Sequence, residues 1–190
     1  MKYDILYFDP PWSFKVWSDK GKDRSAEQHY NVMTIEDIKA LDINSLASDN
    51  SVLLLWVTYP LLKEGIETLE AWGFSYKTVA FTWAKTCVKS HDKFFMGNGY
   101  YTRANAEICL LGTKGKPLPV LSHSVRQLVV EPIRKHSEKP DSVRDSIVEL
   151  FGDRPRLEGF GRKLVDGWTV IGNEVTGNDI TLDIERLKNE

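Results

Sequence analysis

A chain of 190 residues, 42% hydrophobic and 27% charged, has enough material for one globular domain with a buried core. No apolar run approaches a membrane span, and Met1-Lys2-Tyr3-Asp4 leads straight into a strand pattern, so neither a signal peptide nor a membrane protein is expected. The net charge of −2 excludes a uniformly basic coat, but ten Lys and Arg against four acids between Lys85 and Lys139 put a basic middle on an acidic body, as in a polyanion-binding face.

In chain order, Ile5-Leu6-Tyr7-Phe8 reads as a buried strand that runs into Asp9-Pro10-Pro11-Trp12. Both prolines fix φ and lack an N–H, so no helix claims the turn's carbonyls. The turn then offers a carboxylate, two carbonyls and a large ring. Asp9 and the Pro10 carbonyl can each accept one hydrogen of an exocyclic amine while an aromatic face stacks on its base. A Pro-Pro turn plugged by Trp12 is the plain alternative, but an acid before it and a Trp after it, at a strand's carboxyl end, favour a reaction centre.

Residues 13–29 are polar. Thr34 with Asp37 three places on marks a helix start carrying Ile35, Ile38 and Leu41. Ser51 to Val57 reads as a fully buried parallel strand, and Pro60 opens a helix with Leu61, Leu62, Ile66, Leu69 and Trp72 on one face, closed by Gly73. Strands follow at Lys77 to Lys85 and Ala106 to Thr113, with the Gly- and aromatic-rich loop Phe94 to Asn105 between them. Pro140 starts a helix that places Val143, Ile147, Leu150 and Phe151 inward. Strands Arg156 to Phe160 and Trp168 to Gly172 come next, and Thr181 to Glu190 reads as a short amphipathic helix. This alternation predicts an α/β fold, a mostly parallel, doubly wound sheet with its ligand at the strands' carboxyl ends.

A second constellation lies near the C-terminus. Gly159 and Gly161 fall where a strand breaks into a turn, Arg162 follows, and Asn173-Glu174 ends the next strand, where an acid suits ribose hydroxyls. Lys139, just before the Pro140 helix, is placed to hold a carboxylate together with that helix's N-terminus. No phosphate-cradling glycine pattern is present, which argues against ATP or NAD. S-adenosylmethionine fits the remaining description. Cys87 and Cys109 read as reduced packing residues, and His29, His91, His123 and His136 lack metal-ligand spacing.

Asp9-Pro10-Pro11-Trp12, Leu55-Trp56-Val57-Thr58, Trp83-Ala84-Lys85, Gly112-Thr113-Lys114-Gly115, Lys139-Pro140-Asp141 and Gly172-Asn173-Glu174 together resemble, in one order over nearly the whole chain, the N6-adenine methyltransferase family that includes the catalytic subunit of the mRNA adenosine methyltransferase. The compact form is similar to the family's bacterial and phage members, some of which modify DNA. The resemblance implies a Rossmann-like S-adenosylmethionine-dependent methyltransferase in permuted order, with the catalytic strand first. Residues 1–175 would form a single domain and 176–190 a tail. It implies Asp9, Pro10, Pro11 and Trp12 as the catalytic motif, with Asp9, Lys139, Gly161, Arg162, Asn173 and Glu174 at the cofactor. Tyr30 would be a target-side tyrosine, Trp56, Trp83 and Lys85 would lie near the methyl-transfer site, and residues 99–105 would form a substrate loop. Gly159 departs from the family pattern, where a Leu is commoner.

Within that reading, Trp12, Tyr30, Tyr100 and Tyr101 are candidates to stack on an extruded base, and Arg103, Lys89, Lys93, Arg126, Arg134 and Lys135 to contact phosphate. For Trp56, Trp72, Trp83 and Trp168, ordinary core packing is the stronger reading from residue type alone. The expected activity is methyl transfer to the N6 amine of adenine in nucleic acid, DNA ahead of RNA, in the cytoplasm, without a metal. Monomer and homodimer are equally open. The alternatives are the same chemistry on RNA and an inactive nucleic-acid-binding partner subunit.

Overall fold

The computed structural model describes residues 1–13, 33–134 and 138–190. Strand β1 (Tyr3–Phe8) starts the sheet, and Thr34 caps helix α1 (Ile35–Ala40) by accepting from the Asp37 N–H at 3.1 Å, as the sequence pattern requires. A 3₁₀ turn leads into β2 (Ala47–Val57), and helix α2 (Leu62–Ala71) stops at Trp72 and Gly73. Strands β3 (Ser75–Cys87), β4 (Ser90–Phe94), β5 (Ala106–Lys114) and β6 (Leu128–Pro132) precede helix α3 (Ser142–Phe151). Strand β7 (Arg156–Gly159), β8 (Thr169–Ile171), the short helix α4 (Asn173–Thr176) and helix α5 (Ile180–Asn189) complete the order.

The strands lie in the order β4-β3-β5-β2-β1-β7-β8, with β6 also paired to β3. β1 is parallel to β2 and β7, β7 to β8, and β3 to β6, whereas β5 runs antiparallel to both β2 and β3. Six of the eight described strands therefore point one way, with β4 and β5 reversed. The reversal of β5, and the two short strands β4 and β6, are additions to the expected pattern. Leu128, Val130 and Phe94 are largely exposed, so neither short strand carries the apolar signal of a buried one.

Alternation along the strands separates two cores. Leu6, Phe8, Leu53, Leu55 and Leu110 face one side, where Ile38 of α1, Leu69 of α2 and Ile184 of α5 cover them. Ile5, Tyr7, Leu54, Trp56, Phe81, Trp83 and Cys109 face the other, covered by Val143, Ile147 and Phe151 of α3. The helix leading into β2 and the helix leading into β7 thus lie on opposite faces, which makes the carboxyl end of β1 the point where the winding reverses and a crevice opens. No described helix is long and apolar enough to cross a membrane.

Phe8 is paired with Gly159 across the β1–β7 ladder, and a Cβ at residue 159 would overlap the Phe8 ring. The family's commoner Leu has no room there, because in this chain the aromatic ring fills that volume against Trp72 and Phe160.

Candidate active site

Asp9 follows β1 at the winding reversal. Being two residues beyond Tyr7, it falls on the α3 side of the sheet, where Lys139 comes down from the segment leading into that helix. Lys139 Nζ lies 2.7 Å from Asp9 Oδ2 and 3.2 Å from Glu107 Oε2. Glu107 in turn pairs with Lys85. Four charges from four elements form one neutral chain, Asp9-Lys139-Glu107-Lys85, with side-chain exposures of 26% at Asp9, 7% at Lys139 and 13% at Glu107. Asp9 is the more exposed end of the chain, ahead of Lys85 at 19%. Each lysine rests over a tryptophan, Lys139 at 5.6 Å from the Trp56 ring centroid and Lys85 at 4.8 Å from that of Trp83.

Burial shifts these groups unequally. Burial works to raise Glu107, but the two lysines together bring its carboxyl down to about 2. Burial works to lower Lys139, yet Asp9 and Glu107 hold its ammonium above the ordinary lysine range. Burial pushes Asp9 above the ordinary aspartate range, against the pull of Lys139, because Lys139 shares its charge with Glu107 and Glu107 itself repels the Asp9 anion.

Several expectations change here. Lys139, expected to hold a cofactor carboxylate, has its ammonium on Asp9 and Glu107. The Pro140 helix begins at Ser142, and its N-cap residue Asp141 makes no side-chain cap bond but binds Arg134, Arg144 and Lys163. As expected, no described helix claims the prolyl carbonyls, but the Trp12 N–H donates to Pro10 O at 2.9 Å and the Met33 N–H to Pro11 O at 3.2 Å. Each carbonyl retains a second lone pair. Trp12 is a buried pin whose Nε1–H donates to Trp56 O at 2.9 Å, so its ring lies in the core and is not presented for stacking. Trp56 is 0% exposed and donates to Tyr7 Oη at 2.7 Å, and Trp83 is buried and donates to Glu131 O at 3.0 Å. Both serve as floors beneath the lysines. Glu107 went unassigned in the sequence, although an acid inside the apolar run of β5 was a readable signal.

The remaining candidates gather at the same edge. Gly161 N–H donates to Ile171 O at 3.0 Å, which joins the turns after β7 and β8. Arg162 Nε lies 3.5 Å from Glu174 Oε1, and because β1, β7 and β8 are parallel neighbours, Asp9 after β1 and Glu174 after β8 leave the same carboxyl edge of the sheet. Asn173 and Glu174 are exposed on the first turn of α4. The segment 95–105 is rooted on β3 by Phe95 N–H to Lys85 O and Lys85 N–H to Asn105 O, both 2.8 Å. At its tip Tyr100 and Tyr101 meet edge-to-face at 4.8 Å, Tyr101 is 95% exposed, and Arg103 reaches Asn98 at 3.4 Å. Lys89, Lys93 and Arg126 are exposed, while Arg134 is paired with Glu131 and Asp141. Tyr30 and Lys135 lie outside the described residues.

A winding reversal holding a half-shielded carboxylate, with an exposed acid and amide at the ends of the neighbouring strands, defines a Rossmann-like methyltransferase. Residues 3–174 match the MT-A70 family model. The chain is 34% identical to the type II methyltransferase M.MunI of Mycoplasma sp., covering 95% of this chain and 81% of that one. It is 28% identical to the human N(6)-adenosine-methyltransferase catalytic subunit METTL3 and 27% identical to the Drosophila melanogaster MT-A70-like protein, over 93% of this chain in each case. It spans only 29% and 27% of the length of those two proteins. The chain belongs to the MT-A70 family, and it is an S-adenosylmethionine-dependent N6-adenine methyltransferase.

Proposed function

We propose that the protein methylates adenine N6 in DNA, with Asp9 and the Pro10 carbonyl as the amine acceptors and Arg162, Asn173, Glu174 and the Gly161 backbone around the cofactor. The observation that carries this is the partly exposed Asp9 carboxylate at the winding reversal, on the edge it shares with Glu174. The donor set fits the cofactor: Glu174 suits ribose hydroxyls, and the anionic Asp9 suits a sulfonium. When bound, S-adenosylmethionine supplies an electrophilic methyl group.

An aromatic amine is a weak nucleophile because its lone pair is delocalised into the ring. Among the described residues Lys139 occupies Asp9 Oδ2, leaving Oδ1 to accept one amine hydrogen, while the second lone pair of the Pro10 carbonyl accepts the other. Two acceptors bias the nitrogen toward tetrahedral geometry and turn its lone pair out of conjugation, so this chain contributes positioning and charge stabilisation. The proton released after transfer passes to Asp9 or to water. Tyr100 and Tyr101 supply an exposed aromatic platform for the base, and the basic residues 89, 93, 103 and 126 supply a path for phosphates.

DNA is preferred because the relative spanned over most of its length is the type II methyltransferase M.MunI. We also read residues 1–175 as the catalytic domain of a cytoplasmic protein, with the 176–190 segment closing its core through Ile180, Ile184 and Leu187 of α5. The test incubates the protein with labelled methyl donor and matched DNA and RNA oligonucleotides and maps the modified nucleoside. N6-methyladenine in DNA is expected, and label only in RNA overturns the choice of substrate. Asp9→Asn is expected to lower turnover by about 100-fold or more; turnover near that of the unaltered protein overturns the role of Asp9.

A further inference from the structure

On α5, Ile180, Ile184 and Leu187 form the stripe that packs into the core, and Asp183 lies on the same inward face where an apolar residue would be expected. Asp183 is 0% exposed. A buried carboxylate needs donors, and it has three: Gly172 N–H at 3.2 Å and Thr176 Oγ1–H at 2.6 Å on Oδ2, and Asn178 Nδ2–H at 3.2 Å on Oδ1. All three come from the turn that carries Asn173 and Glu174.

We propose that Asp183 is a positioning residue of the cofactor site, holding the Gly172-Asn173-Glu174 turn in its binding geometry from the C-terminal helix. The inference rests on reading Asn173 and Glu174 as cofactor contacts. Gly172 adopts φ 142°, which only glycine adopts without strain, and a Cβ there would stand 3.0 Å from Phe160 Cα and Gly161 O, tighter than an ordinary contact. The Gly172 carbonyl accepts the Val175 and Thr176 N–H groups, both at 2.9 Å, and the Asp183 carboxylate claims its N–H. The helix behind it is itself anchored, by its core stripe and by Lys188 Nζ at 2.9 Å from Asp42 Oδ2. A helix packed into the core thus backs a turn whose Asn173 and Glu174 are themselves exposed.

The test uses the full chain with Asp183→Ala, Asp183→Asn, Thr176→Val and, as a control on the same helix, Leu187→Ala. S-adenosylmethionine affinity is measured by equilibrium dialysis, alongside Tm and steady-state kinetics. Asp183→Ala is expected to weaken cofactor affinity and raise the cofactor KM about tenfold, with kcat at saturation and the oligonucleotide KM within about twofold. Asp183→Asn recovers part of the loss, and Thr176→Val, which removes one donor, weakens affinity in the same direction and stands in if Asp183→Ala does not fold. Leu187→Ala lowers Tm without a matching loss of affinity. Equal losses of affinity in Leu187→Ala and Asp183→Ala, or an unchanged affinity in Asp183→Ala and Thr176→Val, overturn the proposal. Glu174→Gln and Asn173→Ala separate the two levels: if they weaken binding while the Asp183 and Thr176 variants do not, the positioning role alone fails, and if they leave affinity unchanged the contact reading fails and takes the proposal with it.

Discussion

Lys139 Nζ stands 2.7 Å from Asp9 Oδ2, across 130 residues of chain, and is shared with Glu107 at 3.2 Å. The carboxylate proposed to receive the amine is therefore tuned by a cation that divides its charge between two acids. Asp9 carries the raised pKa and Glu107 the depressed one.

The acid limb of the pH profile of kcat/KM is expected above the ordinary aspartate range, since Asp9 must be ionised to accept and its carboxyl is pushed up by burial. Lys139→Met removes the cation and moves that limb to higher pH. Glu107→Gln removes a neighbouring anion and gives Lys139 wholly to Asp9, moving it lower. Profiles at saturating cofactor check the two opposite displacements; shifts in the same direction would contradict the shared-cation account.

Glu107 has a second signature, in stability. Its folded pKa is depressed to about 2, so its contribution is fully present above the ordinary glutamate pKa and is lost as pH falls from there toward about 2. Glu107→Gln is expected to be less stable at neutral pH by about 3–5 kcal/mol, because Lys85 and Lys139 lose a buried partner. Its stability should also fall less steeply than that of the unaltered protein over that acid window. Urea unfolding across the pH series measures both.

Gly159→Ala places a methyl group in the volume of the Phe8 ring and is expected to cost about 1–3 kcal/mol through overpacking. Phe8→Leu vacates that volume, so the double variant should be more stable than the sum of the two single changes allows. Chemical denaturation of the four proteins measures the coupling.

Tyr101→Ala, and Tyr100→Ala with it, are expected to weaken oligonucleotide binding by about 1–3 kcal/mol per lost base contact. Both side chains lie at the exposed tip of the segment rooted on Lys85 of β3, a strand separated in the sheet from β8, which leads to Asn173 and Glu174, by β5, β2, β1 and β7. Thermal stabilisation by S-adenosylmethionine should therefore be unchanged. Fluorescence anisotropy with a labelled oligonucleotide reads the first effect and a melting series the second.

Local order was legible in the chain alone. Thr34 and Asp37 start α1, the run to Phe8 and the run to Val57 make buried strands, and Gly152 ends α3, because capping bonds, apolar periodicity and glycine backbone freedom act within a few residues. The Asp9-Pro10-Pro11-Trp12 turn was marked for the same reason, as an acid and a rigid break at a strand end. Which charges meet was not legible. Glu107, Lys85 and Lys139 come together only because β5 reverses between β2 and β3 and brings its amino end to the edge where β1 and β3 finish. Sheet register and helix face are long-range choices, decided by how two cores are buried at once, and they turned Lys139 onto Asp9, sank Trp56 and Trp83 beneath the lysines, and set Asp183 of the last helix under the Gly172 turn.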